Sequence, residues 1–321
     1  MLYLNEKDIK RAVSMQEMID AIDLSYDMYH SDSFTMPMRT QIIEQDNTFL
    51  VMPTITKDAI GTKLVTVFPN NISVPRIQGL VILNSNETGE AKAILDGTFL
   101  TGYRTGAVGG SAIRHLAEAN ADTVSVIGTG VQGLNQTIAA CTERPIKRIR
   151  LYNRTLSKIP DFIMKLKREI GEDYQITSHY SAEEAIKESD IIITATNSNE
   201  PVLPENPHLL KGKLIIGVGS FQPTMREFPK ALYDITNKFY IDTEDAIEES
   251  GDLCTPLKNN WINEQSVQSM ASYLALKKRR AIEKGKTIVF KSTGMALFDV
   301  VTANVIYEKA SKLGIGQKLN R

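Results

Sequence analysis

Apolar and polar positions along the chain follow two different rhythms. Over residues 14–30, Met18, Ile19, Ile22 and Tyr26 fall at helical spacing, and Ser14 with Glu17 has the capping-box pattern that opens a helix. From Gln41 to about Leu95 the pattern changes to short β-rich runs at 49–52, 62–67 and 80–83. Turn residues at Pro69-Asn70-Asn71 and over 84–89 separate them, which predicts an antiparallel or mixed sheet.

From about residue 120, strands and helices alternate. A buried-strand run at 123–127 is followed by a glycine-rich turn and a helical stretch from Val131 to about Cys141. The next strand is 148–152, and a long charged helix covers 159–170. A short helix over 181–188 opens on Ser181 and Glu184, a second capping-box pattern. Strand runs follow at 191–194, 213–218 and 239–242. This alternation predicts a parallel, doubly wound α/β sheet beside the α+β first region. A last helix, about 294–313, is expected to leave the parallel domain and return to the first.

Composition narrows the class. At ~150 residues per domain, 321 residues suggest two domains. With 42% hydrophobic and 23% charged residues, the chain is too apolar for disorder and long enough to bury a core. The 37 basic residues against 38 acidic ones give a net charge of −1, which argues against a nucleic-acid surface. A small anionic ligand needs only a few placed cations. The two cysteines and four histidines form no metal-ligand spacing, so no metal site is expected. No stretch approaches ~18 apolar residues, and charges arrive by Glu6, so neither a membrane span nor a signal core is expected. The simplest compartment is cytoplasmic.

Gly128-Thr129-Gly130-Val131-Gln132-Gly133 fits GxGxxG and lies directly between a strand-like and a helix-like run, the context a dinucleotide-binding turn requires. The first glycine makes the turn, Gly130 lets backbone approach a pyrophosphate, and Gly133 lets helix and strand pack closely. The helix N-terminus then presents free N–H groups to phosphate. At the end of the second strand, where NAD-binding units place an acid for the ribose hydroxyl, stand Asn153, Arg154 and Thr155. No carboxylate repels a 2′-phosphate there, and Arg154 can pair with one. This pattern favours NADPH, with NADH as the second cofactor.

Three cations in the first region are candidate anion ligands. Lys63 sits inside the apolar run 61–67, where burial is costly unless the ammonium meets an anion. Arg39 follows Pro37-Met38, and Arg104 stands at the start of an Ala/Gly-rich helical segment whose small residues at 106–112 predict close packing. Each taken alone reads first as an ordinary solvated or ion-paired residue, and only second as a ligand of an anion.

The sequence resembles the ornithine cyclodeaminase/mu-crystallin family over essentially its whole length. The resemblance rests on Thr62-Lys63-Leu64-Val65-Thr66-Val67-Phe68-Pro69-Asn70, Arg104-Thr105, Val126-Ile127-Gly128-Thr129-Gly130-Val131-Gln132 and Asn153-Arg154-Thr155. It continues through Glu249-Ser250-Gly251-Asp252-Leu253 and Phe290-Lys291-Ser292-Thr293-Gly294-Met295-Ala296, with Asp299. It implies a substrate-binding and dimerisation domain over 1–118 plus 300–321, a Rossmann-type NAD(P) domain over 119–299, and a homodimer. It implies that Arg39, Lys63 and Arg104 bind a substrate carboxylate, with Gln78 near the nicotinamide or substrate. It further implies that Thr105 contacts the cofactor phosphates and that Thr194, Ala195 and Thr196 line the adenine side. Val218 and Ser220, with Lys291, Ser292, Thr293 and Gly294, are implied to wall the nicotinamide.

One departure bears on the reaction. Cyclodeaminases of the family carry an acid two positions before the proline of a Gly-Gly-Asp-x-Pro segment, and here Phe221 precedes Pro223 at that distance. A phenyl ring cannot transfer a proton or stabilise an iminium as a carboxylate does. The expected activity is therefore NAD(P)H-dependent reduction of a cyclic imino acid. Δ1-Pyrroline-2-carboxylate giving L-proline comes first and Δ1-piperideine-2-carboxylate giving L-pipecolate second. Ornithine cyclodeaminase, an amino-acid dehydrogenase, a synthase coupling two amino acids and a non-catalytic NADPH-binding crystallin-like protein are the alternatives.

Overall fold

Backbone pairing sorts the strands into two sheets of opposite character. The computed structural model describes residues 1–236, 238–276 and 285–320. The chain first forms β1 (Leu2–Leu4), α1 (Glu6–Ala12), α2 (Met15–His30), β2 (Phe34–Thr35), β3 (Thr40–Glu44), β4 (Asn47–Thr56), β5 (Ile60–Val67), β6 (Ile77–Asn84), β7 (Ala91–Asp96) and α3 (Gly97–Leu116). It continues as β8 (Thr123–Ile127), α4 (Val131–Glu143), β9 (Arg148–Tyr152), α5 (Ile159–Ile170), β10 (Gln175–Ser178), α6 (Ala182–Ile186), β11 (Ile191–Thr194), α7 (Pro207–Leu210) and β12 (Leu214–Gly217). Then come α8 (Lys230–Ile235), β13 (Phe239–Ile241), α9 (Ala246–Glu249), α10 (Gly251–Lys258), β14 (Val267–Ser269), α11 (Met270–Leu274), β15 (Ile288–Lys291), α12 (Ala296–Leu313) and β16 (Gln317–Lys318). Two compact units result, one of residues 1–104 with 295–321 and one of 105–294. These limits fall inside α3 and just before α12, whereas the sequence reading set them at 118/119 and 299/300.

In the first unit the sheet order is β16-β1-β7-β6-β5-β4-β2, with β3 also paired to β4. Every pairing is antiparallel except the parallel pair β1 and β7, so the sheet is mixed. Ser14 caps α2: its side chain accepts from the Glu17 N–H, and the Glu17 carboxylate accepts from the Ser14 N–H at 2.8 Å. Met18, Ile19, Ile22 and Tyr26 are all buried, as their spacing requires. Helix α12 packs against α2 and across β4, β5 and β6. It approaches so closely that a Cβ on Gly61 would lie 2.8 Å from Val300.

In the second unit every pairing is parallel, in the order β10-β9-β8-β11-β12-β15-β13-β14. β8 lies between β9 and β11, so the winding reverses at its carboxyl end, where open α/β sheets bind ligands. β8, β11, β12 and β15 are buried along their whole length, which fits their mostly apolar sequences. In α5, Ile159, Phe162 and Leu166 turn inward, and each such side chain contributes ~1.5–3 kcal/mol of burial. The small residues of α3 pack against α4: a Cβ on Gly106 would stand 2.7 Å from Asn135.

Two local readings change. The helix carrying Arg104 begins at Gly97, because the Asp96 carboxylate accepts the Phe99 N–H at 3.0 Å and starts the helix earlier. Arg104 is therefore well inside the helix. At α6, Ser181 caps as expected, but the Glu184 carboxylate accepts from the Tyr180 N–H at 3.0 Å and not from Ser181 itself, so the reciprocal box is incomplete. The strands β1, β2, β10, β14, β15 and β16, of two to four residues, are not among those the sequence predicts; they are short, and their pairing partners supply what their own patterns lack.

Candidate active site

Strand alternation puts Lys63 on the inner face of β5, where it is 3% exposed. Helix α12 lays Asp299, in its first turn, against that face with no exposed surface. The Lys63 ammonium meets Asp299 Oδ2 at 2.6 Å, and Arg104 Nε meets Asp299 Oδ1 at 2.7 Å. Arg39, half-buried in the segment between β2 and β3, adds its charge to the surroundings of Lys63. Burial, with Arg104 and Arg39 adding to it, lowers Lys63 to about 8 despite the opposing pull of Asp299. Burial pushes Asp299 the other way, but the Arg104 and Lys63 charges prevail and hold its carboxyl below the usual range.

The arrangement has more positive than negative charge. Two buried cations share one carboxylate, Lys63 meeting Oδ2 and Arg104 Nε meeting Oδ1. The remaining ammonium and guanidinium donors suit a second carboxylate, because arginine offers a planar fork and an unbalanced buried charge is costly. Asp299 is the member that sequence reasoning matched to the family without giving it a role. Its local signal is an acid within the apolar first turns of α12, Ala296 to Val301, which also fits an ordinary first-turn acid. Gln78 does not join the cluster. It lies opposite Thr66 on β6, whereas Lys63 lies opposite Val81, so a period of two puts Gln78 on the other, exposed face.

In the second unit, Gly128 has φ +106°, and a Cβ there would meet Ala195 O at 2.5 Å. A Cβ on Gly133 would lie 2.1 Å from Gly128 O, so turn and helix touch backbone to backbone. A Cβ on Gly130, by contrast, meets nothing within 4 Å. Gly130 is also the N-cap of α4 and provides no side-chain cap, so the helix N–H groups stay available. Thr129 Oγ1 and Gln132 Oε1 are buried without a hydrogen-bond partner among the described residues. Open space over a glycine, uncapped N–H groups and unpartnered polar atoms together fit a dinucleotide pyrophosphate. Val131 is mostly exposed beside them.

The second strand end is tied to this turn. Asn153 Oδ1 accepts from the Thr129 N–H at 3.4 Å, and Asn153 Nδ2 donates to Thr155 O at 2.8 Å. Arg154 and Thr155 are exposed. Thr105 is buried, and its carbonyl accepts from Gln136 Nε2 at 2.7 Å. Thr194 ends β11, and Ala195 continues from it by donating its N–H to Ile127 O.

Several other expected cofactor residues have side chains engaged inside the unit. Ser220 Oγ donates to Met225 O at 2.6 Å and also meets Ser250 Oγ. Ser292 Oγ donates to Asp242 Oδ2 at 2.6 Å, and Gly294 N–H donates to the same oxygen. Lys291 is fully buried, 3.4 Å from Asp252 Oδ2. Val218 is also buried. Thr293 differs, since its buried Oγ1 has no partner among the described residues. Phe221 is 36% exposed at the position where a cyclodeaminase needs its acid.

Among the described residues no helix is long and apolar enough to cross a membrane, and no cluster of His, Cys, Asp and Glu could hold a metal ion. A unit with a parallel sheet and a glycine turn at its switch point, and another unit with a mixed sheet carrying buried cations, define a two-unit α/β protein of the dinucleotide-binding class. The chain matches the ornithine cyclodeaminase/mu-crystallin family over residues 2–314 and belongs to it. It is 35% identical to a Δ1-pyrroline-2-carboxylate reductase of Bacillus cereus, over 99% of each chain. Among solved structures it is similar to the Δ1-pyrroline-2-carboxylate reductase of Thermococcus litoralis in complex with NADH and L-proline, with 30% identity and a TM-score of 0.91 over 99% of this chain and 100% of that one. An archaeal alanine dehydrogenase dimer with bound NAD has a TM-score of 0.89 and 26% identity over 100% of this chain and 99% of that one.

Proposed function

We propose that the protein is an NAD(P)H-dependent oxidoreductase that reduces cyclic imino acids. Its first substrate is Δ1-pyrroline-2-carboxylate, giving L-proline, and Δ1-piperideine-2-carboxylate, giving L-pipecolate, is the second. The observation that carries this reading is the surplus of buried positive charge around Asp299, which a substrate carboxylate balances. The similarity to Δ1-pyrroline-2-carboxylate reductases supports the choice of substrate.

In this reading Lys63 and Arg104, with Arg39, clamp the carboxylate. Asp299 orients both inner cations and supplies no proton, since their charges keep it ionised. The glycine turn and the α4 N-terminus bind the pyrophosphate. The bound reduced nicotinamide supplies the hydride. A protonated imine is already electrophilic, so the protein contributes position and electrostatics. Phe221 provides no carboxylate for ornithine deamination and cyclisation, which favours the reductase over the lyase.

We further propose that Arg154 and Thr155 accept the 2′-phosphate of NADPH, and that NADPH is preferred to NADH. The homodimer forms through the first unit, which exposes Ile42, Ile43 and Phe49 on adjacent strands.

The test is to mix the purified protein with Δ1-pyrroline-2-carboxylate and NADPH or NADH and to follow nicotinamide absorbance. Oxidation coupled to L-proline formation is expected. No turnover with either donor sinks the proposal. Ammonia release from ornithine without added reductant would assign the lyase reaction in its place.

A further inference from the structure

A buried carboxylate outside both sets of ligand residues joins the strand ends of the second unit. Glu227 has no exposed surface. Its Oε1 accepts from the Thr196 N–H at 2.7 Å and from Thr196 Oγ1 at 2.8 Å, and its Oε2 accepts from the Gly219 N–H at 2.8 Å. Thr196 follows β11 and Gly219 follows β12, so one side chain clips two neighbouring strand ends together. The clip is tight: a Cβ on Gly219 would lie 2.1 Å from Thr196 O and 2.6 Å from Glu227 Oε1. On its other side Thr196 reaches the glycine turn, where its Cγ2 would be 3.0 Å from a Cβ on Gly128.

Glu227 is itself held in place. Its N–H and that of Phe228 both donate to Asp252 Oδ1, at 2.7 and 2.9 Å. Lys291 supplies the nearby positive charge, 3.4 Å from Asp252 Oδ2. A buried carboxylate is costly unless its lone pairs are satisfied, and here three donors converge on Glu227.

We propose that Glu227 is a positioning residue of the dinucleotide site. It fixes Thr196 against the Gly128 turn and holds Gly219 in register with Thr196, so that the segments 194–196 and 218–220 keep the spacing the cofactor requires. This rests on the dinucleotide reading above. The carboxylate is specific to the task. A glutamine in the same place has one acceptor oxygen, and its amide would turn N–H groups toward the Gly219 N–H. Glu227→Gln therefore keeps the Thr196 side of the clip and breaks the Gly219 side. Thr196→Val removes only the hydroxyl bond.

The experiment measures NADH and NADPH dissociation constants by nucleotide fluorescence on the full-length protein, Glu227→Gln and Thr196→Val. Melting temperatures of the ligand-free proteins and imine KM are measured alongside. Glu227→Gln is expected to weaken dinucleotide binding about tenfold and Thr196→Val about threefold, with imine KM unchanged. A purely structural Glu227 would lower the melting temperature and leave the dissociation constants where they were, which overturns the inference alone. Should Glu227→Gln fail to fold, an unchanged dissociation constant in Thr196→Val overturns it equally. If the unsubstituted protein binds neither dinucleotide, the dinucleotide reading falls and the inference falls with it.

Discussion

Lys63 is held in the cationic state by one neighbour and pushed out of it by its burial and two others, so its charge is set by a narrow balance. Its ordinary value of 10.5 falls to about 8 in the folded protein. Below that pH the ammonium is charged and can hold a carboxylate; above it the charge is lost and affinity falls. The predicted kcat/KM for imino acid therefore declines as pH rises through about 8, since that ratio reports groups of the free enzyme. Lys63→Met keeps the apolar stem without the charge. It should lower kcat/KM at neutral pH about 30-fold or more, remove that alkaline limb, and leave NADH binding intact. A limb of the same shape in the variant would assign it to another group, and loss of NADH binding would make Lys63 structural. Asp299 answers to a different measurement. Replacing it with alanine leaves two buried cations without their carboxylate, so Asp299→Ala should destabilise the fold by about 3–5 kcal/mol, read as a lower denaturation midpoint.

At the scale of elements, the glycine turn separates what folding needs from what a ligand needs. Gly128 stands at positive φ against Ala195 O, so Gly128→Ala strains the fold itself. Gly130 has extended backbone and open space where its Cβ would be. Gly130→Ala should leave the melting temperature of the ligand-free protein unchanged and weaken NADH binding about tenfold or more, because the new methyl enters the phosphate's place. A calorimetric titration of the variant with NADH checks this, and full affinity would show that no phosphate lies over Gly130. The turn was legible in the sequence because it is local: strand, glycines and helix are contiguous. The same holds for α2, for β9 and for α5, whose periodicity is complete within each segment. The anion cluster was only half legible. Lys63 is conspicuous as a cation in an apolar strand, but its partner comes from a helix near the other end of the chain, and Arg104 and Asp299 are 195 residues apart. No local pattern encodes that contact. Glu227 was illegible for the same reason, since its meaning lies in two strand ends that only the sheet brings together.

At the scale of the whole molecule, the first unit leaves apolar surface that its own fold does not cover. All of β3 is exposed, including Ile42 at 56% and Ile43 at 64%. Ile42 pairs with Phe49 on β4, itself 37% exposed, so the two side chains share one face of the sheet. Met38, Ile55 and Leu80 are exposed as well. An exposed apolar pair on neighbouring strands is surface that a second copy can bury by symmetry. The near-zero net charge of −1 adds little long-range repulsion between copies. The double substitution Ile42→Asp with Phe49→Asp places four like charges at the middle of such an interface, two from each copy. Light scattering during gel filtration should find the unsubstituted protein at twice the chain's mass and the double variant at the monomer's. Circular dichroism should be the same for both, since these side chains support no core of their own unit. A double variant that remains at twice the mass would move the interface to another surface, and an unsubstituted protein that runs as a monomer at micromolar concentration would end the homodimer proposal.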